Sequence, residues 1–189
     1  HASLADISLG IDSPAGTHGV QLVVSLLAGA GLQAQGPATL LTPTQALADL
    51  VRRIESTTPA GSKAQAEMTG QGGDFLGAVG QSVLLETRTL APSASAGAAR
   101  QTIIVSGGPA TPAGTTAIGL VIDASGMPAN AILQLDNIDF AAIVGAATLR
   151  GGAGSNYVVG DGQVQNILLG ADDDRLYGGG GNDVVGSAG

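Results

Sequence analysis

At 189 residues the chain is long enough to bury a core in one or two domains, and that core is aliphatic: apolar residues make 44% of the sequence and aromatics only 2%. Cysteine is absent, which rules out disulfides, thiolate metal sites and a thiol nucleophile, while the 31 glycines favour turns over long helices. A net charge of −8 with no basic stripe argues against nucleic acid as a partner, and the longest apolar run, Gly19 to Leu32, is too short and too rich in glycine to be a transmembrane segment.

In chain order, residues 1–41 read as strands and turns. Ala5–Ile11 and Val20–Leu27 are apolar-rich and separated by a turn from Asp12 to Gly16, and Gly31–Gln35 reads as a third short strand ending at Gly36 and Pro37. One amphipathic helix is predicted over residues 43–56. Thr42 sits at its N-cap, Pro43 at N1 and Gln45 at N3, a capping box, and Leu47, Leu50, Val51 and Ile54 make one apolar stripe. Arg52 and Arg53 fall in its last two turns, where positive charge suits the helix dipole; the functional alternative for the pair is an anion site. Residues 62–80, with Gln71, Gly72, Gly73 and Asp74, are polar and glycine-rich and read as a loop with at most a short helix.

Strand signals return at Ser82–Leu90, Gln101–Val105, Thr116–Asp123, Ala131–Leu135 and Ala141–Leu149, with low-complexity connectors at Ala91–Ala99 and Ser106–Gly114. This spacing suits an antiparallel sandwich or a sheet that winds into a solenoid. Leu135–Arg150 runs without a linker into the last 39 residues. Residues 1–150 are therefore expected to form a β-rich body with one helix, whose final strands stack directly on residues 151–189.

Residues 151–189 fall into a nine-residue repeat. Its turns read GGAGSNYVV (151–159), GDGQVQNIL (160–168), LGADDDRLY (169–177) and GGGGNDVVG (178–186), with a fifth begun at Ser187. The eighth position is aliphatic throughout (Val158, Ile167, Leu176, Val185), and the sixth runs amide, amide, acid, acid: Asn156, Gln165, Asp174, Asp183. The last copy satisfies the calcium nonapeptide pattern G-G-x-G-x-D-x-U-x at every fixed position. Five acids against one base, Arg175, put half of the net charge in this segment. The pattern divides labour by position. A glycine-rich turn aims its carbonyls at one place, the sixth residue adds a carboxylate, and the aliphatic eighth points inward from a short strand. An all-oxygen, flexible cage is what calcium accepts and magnesium resists. Successive turns would alternate sides of a flattened coil, so that turn n stacks on turn n+2 and the cation is shared between them.

The segment resembles the RTX (repeats-in-toxin) family of secreted bacterial proteins, which implies a right-handed parallel β-roll with Ca2+ between turns. The resemblance makes Asp174 and Asp183 the carboxylate ligands, with backbone carbonyls of Gly178, Gly179, Gly180 and Gly181, and of Gly170 to Asp172, completing their loops. Asn156 and Gln165 stand where the family has aspartate, and Asp172 stands where it has glycine. With stacking two turns apart, Asp174 faces the Asn156 loop and Asp183 the Gln165 loop. Each cage then holds one carboxylate, so weak or empty sites are expected at the start of the roll. Asp172 and Asp173 either coordinate from an altered loop or form a solvated charge run.

Function is implied by the same resemblance: a non-catalytic, extracellular structural or assembly module of a large bacterial surface protein (adhesin, surface layer or filament). Its acidic repeats would stay disordered through a type I secretion channel and fold on meeting calcium outside. The alternative is the accessory region of a secreted RTX enzyme, a lipase or protease whose catalytic part lies elsewhere. No basic n-region precedes the first apolar run, so no classical signal peptide is read, and the interrupted fifth repeat suggests a piece of something longer. Self-association or continuation of the same polypeptide is expected to cap the open end of the roll. Catalytic groups do not converge. His1 and His18 fit no metal-ligand pattern, Ser25 lacks the G-x-S-x-G elbow, and Asp136 and Asp139 read as a turn with side-chain hydrogen bonds.

Overall fold

The computed structural model describes residues 4–16, 18–95, 102–108, 114–128 and 131–187. Strands β1 (Leu4–Asp12), β2 (His18–Leu27) and β3 (Ala30–Gln35) precede helices α1 (Pro43–Thr57) and α2 (Lys63–Ala78). Ten strands come after them: β4 (Leu84–Ala94), β5 (Thr102–Gly107), β6 (Thr116–Asp123), β7 (Ile132–Asp136), β8 (Phe140–Val144), β9 (Ala147–Gly151), β10 (Tyr157–Gly160), β11 (Gln165–Leu169), β12 (Arg175–Tyr177) and β13 (Val184–Ser187). The protein is mainly β, in two mixed sheets ordered β1-β2-β5-β7-β9-β11-β13 and β12-β10-β8-β6-β4-β3. Only β1–β2, β2–β5 and β3–β4 pair antiparallel; every pairing from β4 and β5 onward is parallel. From β4 the chain alternates between the sheets at each strand, so the antiparallel sandwich is not the arrangement that forms there.

Between the sheets lies the larger core, in which Leu22, Ile103, Leu120, Leu133, Ile143, Val158 and Ile167 are all buried. A second core lies on the outer face of the β4–β12 sheet, beneath the two helices. The α1 capping box is present: the Gln45 backbone N–H donates to Thr42 Oγ1 at 3.4 Å, and the Thr42 N–H donates to Gln45 Oε1 at 3.0 Å. The buried stripe is rotated from the expected one. Ala46, Leu50, Arg53 and Ile54 face inward, whereas Leu47 is exposed.

Residues 62–80 contradict the loop expectation. Ser62 caps α2, its hydroxyl accepting from the Gln65 N–H at 3.1 Å, and Met68, Gly72 and Leu76 recur every four residues as a narrow buried face. Gly72 is part of that face because α1 leaves no room for a side chain: a β-carbon there would lie 3.1 Å from Leu50 Cδ2. The strand expected over 141–149 is two strands, β8 and β9, which belong to different sheets and are separated by a turn at Gly145, whose φ is +95°. Part of the Ala91–Ala99 connector belongs to β4, and part of Ser106–Gly114 to β5; residues 96–99 and 109–113 lie outside the described portion.

Candidate metal centre

The repeats stack 18 residues apart. In β10 and β12 Tyr157 pairs with Arg175 and Val158 with Leu176; in β11 and β13 Asn166 pairs with Val184 and Ile167 with Val185. The body supplies the preceding rungs directly: β8 pairs with β10 and β9 with β11, both parallel. Eighth-position side chains track this stack. Val158 and Ile167 are buried, Leu176 is partly buried and Val185 is exposed on the edge strand.

Stacking brings the sixth positions together in the pairs expected from the repeat. Asp174 Oδ1 accepts from the Asn156 backbone N–H at 2.9 Å, and Asp183 Oδ1 accepts from the Gln165 N–H at 2.9 Å. Asp172 joins the first pair, its Oδ2 accepting from the Gly154 N–H at 3.0 Å. Asp173 is exposed. Glycine is required where the turns touch. Gly179 and Gly181 have φ of +78° and +110°, and β-carbons on them would lie 2.6 Å from Gly160 O and 2.7 Å from Gln163 O. Gly170 sits against Gly152 O in the same way, Gly178 against Asp183 Oδ2, and the Gly180 N–H donates to Asp161 O at 3.0 Å.

Three sixth-position side chains carry a buried oxygen with no hydrogen-bond partner: Asn156 Oδ1, Gln165 Oε1 and Asp174 Oδ2. Two belong to one pair of stacked turns and the third to the other. Leaving such oxygens dry costs about 1–3 kcal/mol each, so their coincidence at one repeat position calls for a partner. Gln165 Oε1 and Gly178 O both press on Gly160, where a β-carbon would overlap the first and lie 2.5 Å from the second. Carbonyl, amide and carboxylate oxygens in this arrangement suit a hard cation such as calcium. Among the described residues no three His, Asp or Glu side chains form a metal-binding group; the oxygens that gather are largely backbone and amide.

Two acids outside the expected set stand at turns of the coil, Asp161 within the repeats and Asp139 in the body before them. Asp161 is only 8% exposed; its Oδ2 accepts from the Gly145 N–H at 2.9 Å, and its Oδ1 from the Gln163 N–H at 2.8 Å and Gln165 Nε2 at 2.7 Å. Asp139 immediately precedes β8 as Asn156 precedes β10 and Asp174 precedes β12, and its Oδ2 accepts from the Ile118 N–H at 2.7 Å. Burial pushes its pKa above the ordinary value although that bond works the other way. Sequence position alone does not flag either residue. Asp161 occupies a second position, where the repeat asks for glycine, and Asp139 lies in a stretch without nine-residue register. Asp136 instead turns its carboxylate to Gln134 Nε2, and Asn137 takes a left-handed φ of +53°.

The arginines of α1 are occupied. Arg53 Nε donates to Asp49 Oδ2 at 2.6 Å and its NH1 to Gln35 O at 2.9 Å, while Arg52 also pairs with Asp49. Burial works against the Asp49 charge, but hydrogen bonds from Thr87, Arg53 and Arg52 outweigh it and hold its pKa below the ordinary value. Both arginines lie in the last two turns of α1, as expected, though not in its final turn. Ser25 Oγ donates to Asp6 Oδ1 at 2.6 Å on the exposed side of β2. His1 and the side chain of His18 lie outside the described portion.

The chain's two phenylalanines and two tyrosines, its whole aromatic complement, form one cluster, stacked at Phe75–Phe140 and Tyr157–Tyr177 and edge-on between Phe140 and Tyr157. Phe75 lies 5.2 Å from Phe140, Phe140 5.5 Å from Tyr157, and Tyr157 5.7 Å from Tyr177, ring centre to ring centre. The Tyr157 hydroxyl bonds Gln71, so α2 is tied to the first repeat turn. No helix among the described residues is long and apolar enough to cross a membrane. Comparison with protein-family models, with curated proteins and with solved structures finds no match for this chain.

Proposed function

We propose that residues 151–187 are the opening turns of an RTX-type calcium-binding parallel β-roll, carried by a non-catalytic extracellular module that assembles or anchors once calcium orders it. The observation that carries this reading is the set of unpartnered buried oxygens at sixth positions, Asn156 Oδ1, Gln165 Oε1 and Asp174 Oδ2. Asp174 and Asp183 would hold the ion, with Asn156 Oδ1 and Gln165 Oε1 and the turn carbonyls completing the oxygen set. Edge strands β12 and β13 leave Tyr177, Val184 and Val185 exposed, a surface on which further turns or a second copy would stack.

With one carboxylate per cage the sites belong at the weak, extracellular end of calcium affinities, a Kd of about 0.1–1 mM. At about ten times Kd each site would add about 1.4 kcal/mol of stability. For a chain of this size two sites would raise Tm by roughly 6–10 °C. Thermal melts followed by circular dichroism in 10 mM calcium and in chelator measure this. Asp174→Asn together with Asp183→Asn should abolish the difference, and identical melts for the unaltered chain would remove the calcium reading.

A further inference from the structure

The amides at the first two sixth positions look like lost ligands, but Gln165 has a structural use that a carboxylate could not serve. Its side chain is fully buried and its two ends face opposite ways along the coil. Upstream, Nε2 donates to Gly145 O of the preceding step at 3.2 Å and to Asp161 Oδ1 of its own turn at 2.7 Å, and Asp161 itself reaches back to the Gly145 N–H. Downstream, Oε1 has no hydrogen-bond partner and shares the space over Gly160 with Gly178 O, in the turn that carries Asp183.

We infer that Gln165 is an adapter between a metal-free and a metal-dependent part of the coil: its amide N–H2 takes the place of a cation between the turns at Gly145 and Asp161, and its amide oxygen faces the cage below. The second half rests on the calcium reading; the first does not. An amide supplies two donors where an ion would otherwise draw the two oxygens together, and it adds no charge. Asp161 is already satisfied at this step, with three N–H donors around its carboxylate. A glutamate at 165 would remove both donors and set a second buried carboxylate against Asp161, so the step could then close only by taking up a proton or a cation. Asn156 differs: its Nδ2 donates to Gly154 O at 2.6 Å within its own turn and joins nothing upstream. The coil is therefore built to close through β11 without an ion, and metal dependence begins with the turns that carry Asp174 and Asp183.

Hydrogen exchange of the full chain, read by mass spectrometry in chelator and in 10 mM calcium, tests both faces. In chelator, residues 157–169 should exchange at least about tenfold more slowly than 175–187, and calcium should slow only the latter. Gln165→Glu should speed exchange of 161–169 in chelator by about tenfold or more and make that segment respond to calcium, whereas Asn156→Asp should leave it unchanged. Equal exchange of 157–169 and 175–187 in the unaltered chain in chelator would overturn the adapter, with no variant needed. So would a Gln165→Glu chain that exchanges like the unaltered one. If calcium slows nothing while 157–169 stays protected and Gln165→Glu loosens it, the calcium reading and the downstream face fall and the upstream face stands.

Discussion

Phe140→Ala measures how firmly α2 is docked, the feature least expected from a glycine-rich polar segment. Phe140 is fully buried on the outer face of β8, with Phe75 of α2 stacked at 5.2 Å and Tyr157 edge-on at 5.5 Å. Burying an aromatic side chain removes about 150–250 Å² from water, worth roughly 4–6 kcal/mol as an upper bound. Truncations of this kind cost about 3–5 kcal/mol in practice. Here the wall facing the ring is Gly72, which has no side chain to move into the void, so the cost belongs in the upper half of that range, about 4 kcal/mol. Urea unfolding at fixed calcium should show the midpoint falling by about 2 M, taking a slope near 2 kcal/mol per molar. The chain lacks tryptophan, so tyrosine emission reports on Tyr157, which lies beside the void, and on Tyr177 stacked against it, and circular dichroism reports on the rest. A loss under about 1.5 kcal/mol would refute the reasoning, because no docked α2 could leave so little dependence on this ring.

The helices offer a paired test: Gly72→Leu should cost about 2–3 kcal/mol by driving α2 off Leu50, whereas Gly73→Ala, whose β-carbon meets nothing within 4 Å, should gain about 0.5–1 kcal/mol; the reverse order in urea would refute the packing. Burial raises the folded pKa of Asp139, so the native state binds its proton more tightly than the unfolded chain, and stability must fall as pH climbs from the ordinary value of 3.8 through the raised one. Asp139→Asn, which keeps an acceptor for the Ile118 N–H, should remove that fall and match or exceed the unaltered chain at pH 7; superimposable pH profiles would count against it. Asp49 has the opposite sign. Its lowered pKa gives stability present above 3.8 and lost on acidification, so the deficit of Asp49→Asn should shrink as pH drops below that value.

What was legible depended on whether one signal dominated locally. The capping box of Thr42 and Gln45 and the β-branched runs of β2 and β6 were readable because each is a local pattern with one physical reading. Helix α2 was not, because a face built from Met68, Gly72 and Leu76 is defined by what α1 presses against it, which no local pattern contains. The turn at Gly145 was hidden for a related reason: β8 is buried on both faces, one by the intersheet core and one by α2, so apolar residues run through it without alternation. In the repeats the register was readable and placed Asp174 against the Asn156 turn and Asp183 against the Gln165 turn. Asp161 was not, since its partners include the Gly145 N–H, 16 residues away across a turn that was itself unseen.

On the proposed calcium reading, the spacing of the coil accounts for where the ligand-bearing turns would start. Parallel pairing tolerates a changing period: Leu84 pairs with Thr116, 32 residues on, Gly119 with Phe140, 21 on, and Ile132 with Thr148, 16 on. A strand ladder needs only that edges meet, and any crossover long enough to return to the same sheet satisfies it. A metal cage shared by two stacked turns would need more, because its oxygens would come from fixed positions in each, and one inserted residue would swing a carbonyl away from its partner. From Gln165, paired with Ala147, the offset becomes 18 and stays there through β12 and β13. A nine-residue turn closes few contacts of its own and cannot bury its eighth side chain without a neighbour, so the first regular turns need an edge already in place. Strands β8 and β9 provide that edge: both face the intersheet core, and β8 is covered by the helices on its other side. The irregular part of the coil can thus be held by apolar packing and amide hydrogen bonds, and only beyond it would constant spacing let the proposed ion join one turn to the next.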